Sequence, residues 1–246
     1  MLPFPASSLW AFNPQAGLLF QPDHSGTLYL TFARKTRLPT MKERYSYRLG
    51  LATPNPDLRE ERADHFETGY RRMVMARTWV KFAGFWSIVH NSAQQFFLQR
   101  NLYQMRNFGR ATYRGAEFSV RSQMTTKISA NVNYTYLSRR NDANPALILV
   151  DTPRHKAGAS AAWRLGSRAT AFADVKYEGG RWCQNDAGRV LRAGDFVLLG
   201  LSATIRLSNQ MSVQSCVQNV LDRNYFLVEG YPEEGRNVFI NLRYRF

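Results

Sequence analysis

The stretch NVFINLRYRF, residues 237–246, alternates with a period of two. Val238, Ile240, Leu242, Tyr244 and Phe246 fall on one face, and Asn237, Asn241, Arg243 and Arg245 on the other. Only Phe239 breaks the polar side. Successive side chains of a strand point to opposite faces, so this reads as a strand with one apolar and one polar surface. The same alternation recurs upstream. Met211, Val213 and Val217 oppose Ser212, Gln214 and Gln218, while Val197, Leu199, Leu201, Ala203, Ile205 and Leu207 oppose a row holding Ser202, Thr204 and Arg206. Ile128, Ala130, Val132, Tyr134 and Tyr136 oppose Ser129, Asn131, Asn133 and Thr135. Further strands are expected at about 13–21, 26–34, 62–72, 77–90, 106–123, 154–165 and 169–180. About eleven strands result, most of them longer than the five or six residues usual in globular proteins.

The connections alternate in length. Short ones lie near 22–25, 73–76, 124–126, 166–168 and 208–209, and long ones near 35–61, 91–105, 139–153, 181–193 and 220–235. Tight turns at one end of a sheet and large loops at the other are the pattern of outer-membrane barrels. Aromatic placement agrees. Phe20, Tyr70, Trp163, Tyr244 and Phe246 fall near the short-turn end, and Phe32, Tyr134, Tyr136 and Tyr177 near the loop end, flanking an aliphatic band as lipid interfaces select. The competing reading is a soluble sandwich, whose strands rarely run so long. A passive porin-like channel is a second alternative.

The 246 residues carry 33 Lys and Arg against 18 Asp and Glu, a net charge of +15 that calls for an anionic surface or ligand without choosing one. A charge facing lipid at mid-bilayer costs about 2–4 kcal/mol, so Lys81, Arg121, Lys156, Arg164, Lys176, Arg206, Arg243 and Arg245 are expected to point inward. No run of eighteen apolar residues marks a membrane-spanning helix. The start, Met1-Leu2-Pro3-Phe4-Pro5, has no signal-peptide pattern. Nucleic-acid binding lacks a recognition helix, zinc spacing or a basic stripe with stacking aromatics. His24, His65, His90 and His155 are scattered, Cys183 and Cys216 read as free thiols, and no Ser-His-Asp arrangement is readable, so no metal, cofactor or catalytic residue is expected. Loop residues Arg37, Arg44, Tyr45, Tyr47, Tyr103, Trp182 and Tyr231 either face a ligand or pack the long loops together.

Three stretches resemble TonB-dependent outer-membrane receptors: VQNVLDRNYFLVEGYPEEGRNVFINLRYRF (217–246), GTLYLTFARKTRLPTMKERYSYRLG (26–50) with NPDLREERADHFETGYR (55–71), and GAEFSV (115–120). The resemblance implies an all-β, transmembrane antiparallel β-barrel in which residues 1–246 form about eleven strands, the C-terminal half of a 22-stranded barrel. It implies a plug domain and an N-terminal barrel half as partners, beside outer-membrane lipid, a TonB complex reached through an N-terminal segment, and a small-molecule or metal-chelate ligand such as a ferric siderophore or cobalamin. Signal peptide, plug and TonB-contacting segment are not found in the 246 residues, so the chain is expected to be a fragment not competent for transport alone. By the same resemblance, Glu67 and Glu117 hold plug arginines, with a local lumen pair as the alternative. Tyr244 and Phe246 resemble the terminal signal that directs barrel assembly.

Overall fold

The computed structural model describes residues 10–185 and 187–246. Its main element is one antiparallel sheet of eleven strands. These are β1 (Gln15–Asp23), β2 (Gly26–Arg37), β3 (Glu61–Met75), β4 (Thr78–His90), β5 (Arg110–Ser122) and β6 (Ile128–Asn141). They continue with β7 (His155–Leu165), β8 (Ala169–Gly179), β9 (Phe196–Arg206), β10 (Met211–Gln218) and β11 (Asn237–Tyr244). Every expected strand is present, and the order in the sheet is the order in the chain. The turns and long loops alternate as the sequence implies. At a rise of about 3.4 Å and a tilt near 45°, eleven residues cover roughly 26 Å, the height of a barrel's apolar band.

Two regions differ from the sequence reading. The expected loop 91–105 and the start of the expected strand 106–123 contain a separate hairpin, Ala93–Gln99 paired with Leu102–Asn107. Gly109, at φ 77°, breaks the chain before β5 begins at Arg110, so Leu102–Asn107 belongs to the loop and not to the barrel strand. The loop read as 35–61 starts only after Arg37, and it holds a helical turn, Met41–Tyr45, started by a capping box between Thr40 and Glu43. Its short strand Ala52–Thr53 pairs with Leu102–Asn107, so two outer loops share one small sheet.

Register fixes the faces. Directly paired residues share a face, and pairing carries one row through Leu28, Tyr70, Phe82, Phe118, Tyr134, Ala157, Tyr177 and Val197. That row starts near the turn end of β2 and reaches the loop end of β8, so the strands are strongly staggered, as barrel closure requires. The opposite face carries Lys81, Arg121, Lys156, Arg164, Lys176, Arg206 and Arg243, as expected from the sequence. Among the described residues no second layer covers the apolar face. Val238, Ile240 and Leu242 are 66%, 72% and 64% exposed, which a soluble sandwich would not tolerate. Buried apolar residues such as Leu58, Cys183, Ala193 and Phe196 lie instead at the loop end.

The strand β11 carries a test of its own. Tyr244 and Phe246 pack edge to face with ring centroids 5.3 Å apart at the exposed end of the apolar face. Deleting Phe246, or exchanging it for Asp, is expected to lower the amount of inserted barrel several-fold while leaving transcript level constant; immunoblots of outer-membrane fractions read this. Equal insertion would reduce Phe246 to an ordinary girdle residue.

Candidate functional site

The polar face gathers four groups from four consecutive strands. Tyr29 of β2 lies against Gly69 of β3, where a Cβ would come within 2.6 Å of the tyrosine ring, so only glycine admits this ring position. From there the Tyr29 hydroxyl donates to Glu67 Oε1 at 2.6 Å. Lys81 of β4 reaches the same oxygen at 3.7 Å and lies 5.5 Å from the centre of the Tyr29 ring. Glu117 of β5 is opposite Ala83; it makes no hydrogen bond or ion pair within 4 Å with any described residue, but its charge is felt by the same Lys81. Glu67 is thus held locally, by a tyrosine and a lysine, while Glu117 shares only the field of that lysine and is held by no direct contact.

Sequence reasoning placed both glutamates on this face but missed Tyr29 and Lys81 as partners. The signal that was available is the pairing of an aromatic residue with a facing glycine, Tyr29 with Gly69. The same device recurs where the Phe85 ring covers Gly115, two residues from Glu117.

A second feature lies on the same face at the turn end. Arg164, Arg168, Arg206, Arg243 and Arg245 surround a recess of about 430 Å³ whose lining includes Thr170, Thr204 and Ser212 and no carboxylate. Five guanidinium groups without an acid among them repel one another and favour an anionic surface opposite.

At the loop end, the expected ligand-facing residues fall into separate contacts. Arg37 is held between Glu43 and Glu61, so its charge is already matched. The Arg44 guanidinium donates to the Pro56 carbonyl and lies 5.1 Å from the centre of the Tyr45 ring. Tyr47 is exposed beside the 3₁₀ turn Arg48–Gly50. Tyr103 accepts from Arg48 at 3.0 Å and packs on Phe97 with centroids 6.2 Å apart. Tyr231 is exposed in the loop after β10, where Tyr231–Pro232 pairs with Phe226–Val228. Trp182 sits apart in a short hairpin, Trp182–Gln184 with Val190–Arg192, that buries Cys183. Burial pushes the Cys183 thiol up, so it is not activated as a nucleophile. Cys216 lies on the polar face of β10, and both cysteines are free. Among the described residues no group of three His, Cys, Asp or Glu is arranged to hold a metal.

These features match known proteins. The family described as TonB dependent receptor-like, beta-barrel matches residues 3–220. Among solved structures, the ferric enterobactin receptor PfeA of Pseudomonas aeruginosa, a G324V mutant, superposes with a TM-score of 0.77 at 19% identity, covering 95% of this chain and 40% of that one. The copper transporter OprC gives a TM-score of 0.78 at 16% identity over 94% of this chain and 39% of that one. The ferric-catecholate import receptor Fiu of Escherichia coli K12 gives 0.68 at 19% identity over 93% and 34%. The chain thus spans about two fifths or less of the length of these structures.

Proposed function

This chain belongs to the TonB-dependent receptor β-barrel family, and from that premise we propose that it forms part of an outer-membrane receptor that takes up a scarce metal chelate or cofactor. Its apolar face meets lipid, and its polar face lines the lumen. An N-terminal plug fills that lumen, and a TonB complex in the inner membrane pulls on the plug to admit the ligand. The observation that carries this reading is the sheet itself: eleven staggered strands with one uncovered apolar face and one cationic face, joined by alternating turns and loops. A passive porin-like channel is not favoured, because the family and the similar structures are receptors and transporters.

The ligand is an anionic chelate of the ferric-siderophore kind. Arg44 and Arg48, with Tyr45, Tyr47, Tyr103 and Tyr231 around them, give the outer mouth cationic and aromatic contacts suited to such a molecule. Glu67 and Glu117 hold plug arginines, since bidentate carboxylate–guanidinium pairs are directional and can be broken and remade. Glu117, which no direct hydrogen bond or ion pair holds and which only the field of Lys81 reaches, supports this role more strongly than Glu67, whose local partners compete. The five arginines at the turn end suit an acidic surface on the plug.

Glu67→Gln and Glu117→Gln keep the shape and remove the charge. In the intact receptor, Glu117→Gln is expected to raise sensitivity to large antibiotics several-fold by loosening the plug, Glu67→Gln less so, with ligand binding at the outer loops kept. Unchanged permeability and transport in both single variants and in the double variant would falsify the latch.

A further inference from the structure

The lipid face is not uniformly apolar. On its loop side, β2 to β6 and the residue after β6 place five arginines, Arg34, Arg62, Arg110, Arg114 and Arg140, against two aspartates, Asp64 and Asp142. Both aspartates are engaged. Asp64 accepts from Arg34 at 2.6 Å, and Asp142 from Thr112 at 2.6 Å, Arg140 at 3.0 Å and Arg110 at 3.3 Å. Arg114 has no hydrogen bond or ion pair with any described residue. It stands directly across from Trp86, in the register row that continues to Phe66 and Phe32. Those rings pack at centroid distances of 6.3 and 5.0 Å, and such an aromatic girdle marks the level where headgroups begin. One turn of the pleat towards the membrane, Gly84 leaves open space: a Cβ there would meet nothing within 4 Å. The gap opens a furrow of about 490 Å³ lined by Leu30, Phe66, Thr68, Trp86, Arg114 and Tyr136, and by Glu67, whose carboxylate is drawn to the opposite face by Tyr29 and Lys81.

We propose that Arg114 and the Gly84 furrow bind one phosphate-bearing lipid of the outer leaflet, with the guanidinium on the phosphate and the furrow on the first part of an acyl chain. This rests on the barrel reading above. The argument is charge complementarity at a fixed depth. An arginine that forms no ion pair with any described residue, held on the loop side of the aromatic row, finds its free anions in lipid phosphates, and the planar guanidinium matches a phosphate with two parallel hydrogen bonds. Arg62, and the one charge by which Arg110 and Arg140 exceed Asp142, add positive potential around the same headgroup, while the apolar lining below accepts hydrocarbon. A soluble anion has no use for the furrow, and a neutral lipid has no use for Arg114.

The test is made on the intact receptor carrying this chain, in detergent micelles, titrated with diphosphorylated lipid A and with dephosphorylated lipid A, and read by native mass spectrometry. The phosphorylated lipid is expected to bind about tenfold more tightly, as a charge-assisted pair implies. Arg114→Gln should erase that preference, Arg114→Lys should retain part of it, and Gly84→Leu should weaken both lipids alike by filling the furrow. Equal binding of the two lipids to the unaltered receptor, or an unchanged preference in Arg114→Gln, overturns the proposal. So does displacement of the lipid by millimolar inorganic phosphate, which would make the site a free-anion site. A receptor that leaves the membrane without detergent and shows no heat-modifiable band removes the barrel reading itself, an outcome distinct from these.

Discussion

Leu201→Arg is expected to be the most damaging single exchange on the lipid face. Leu201 is the sixth of eleven residues in β9 and lies between Ala173 of β8 and Val217 of β10, so it sits near the middle of the apolar band. An arginine at the bilayer midplane costs about 2–4 kcal/mol, which is roughly a 30- to 900-fold shift towards the unfolded barrel. The next residue, Ser202, faces the lumen, and Ser202→Arg should change stability by less than about 1 kcal/mol. Denaturant unfolding of the two variants in the same lipid, starting from the intact receptor, separates them. Equal loss in both would mean that residues 201 and 202 see the same surroundings, and the two-faced reading of β9 would fail.

Gly115→Ala should be nearly as severe, for a different reason. A Cβ at Gly115 would press on the backbone carbonyl of Tyr136 inside contact distance and come within 2.6 Å of the Phe85 ring. A ring can turn aside, but a carbonyl in the β5–β6 ladder cannot move without disturbing the pairing, so overpacking by about 1–3 kcal/mol is expected. Gly84→Ala is the matched control, since open space there predicts little change or a slight gain from a stiffer unfolded chain. If both alanine variants unfold at the same denaturant concentration as the parent, Gly115 is not needed for the packing of Phe85.

The strands were legible because period-two alternation over eight or more residues leaves little ambiguity, and the two faces followed from it. The hairpin at Ala93–Gln99 and Leu102–Asn107 was not, because Gln94-Gln95-Phe96-Phe97 and Tyr103-Gln104-Met105 do not alternate cleanly. Their pairing is fixed by contact with the loop strand Ala52–Thr53, a long-range event that local pattern cannot show. At the site, parity put Glu67 and Glu117 on the lumen face, but the lysine that reaches Glu67 is opposite Arg71, four residues along β3. Only the lean of long side chains brings them together. The five-arginine recess was half visible: four of its arginines were read as inward, while Arg168 lies in a turn that carries no alternation.

Because neighbours in the sheet are always neighbours in the chain, the architecture has a parity rule for its own change. Removing one whole hairpin leaves every later strand running in its old direction, with its lipid side still on lipid. Removing a single strand reverses the direction of all that follow and exchanges the short turns with the long loops, sending ligand-sized loops to the wrong side of the membrane. Within a strand, loss of one residue turns every later side chain of that strand over, whereas loss of two only shortens it. Length variation in such chains is therefore expected to come in steps of two at both scales, residues within strands and strands within sheets, with odd-numbered changes confined to the loops.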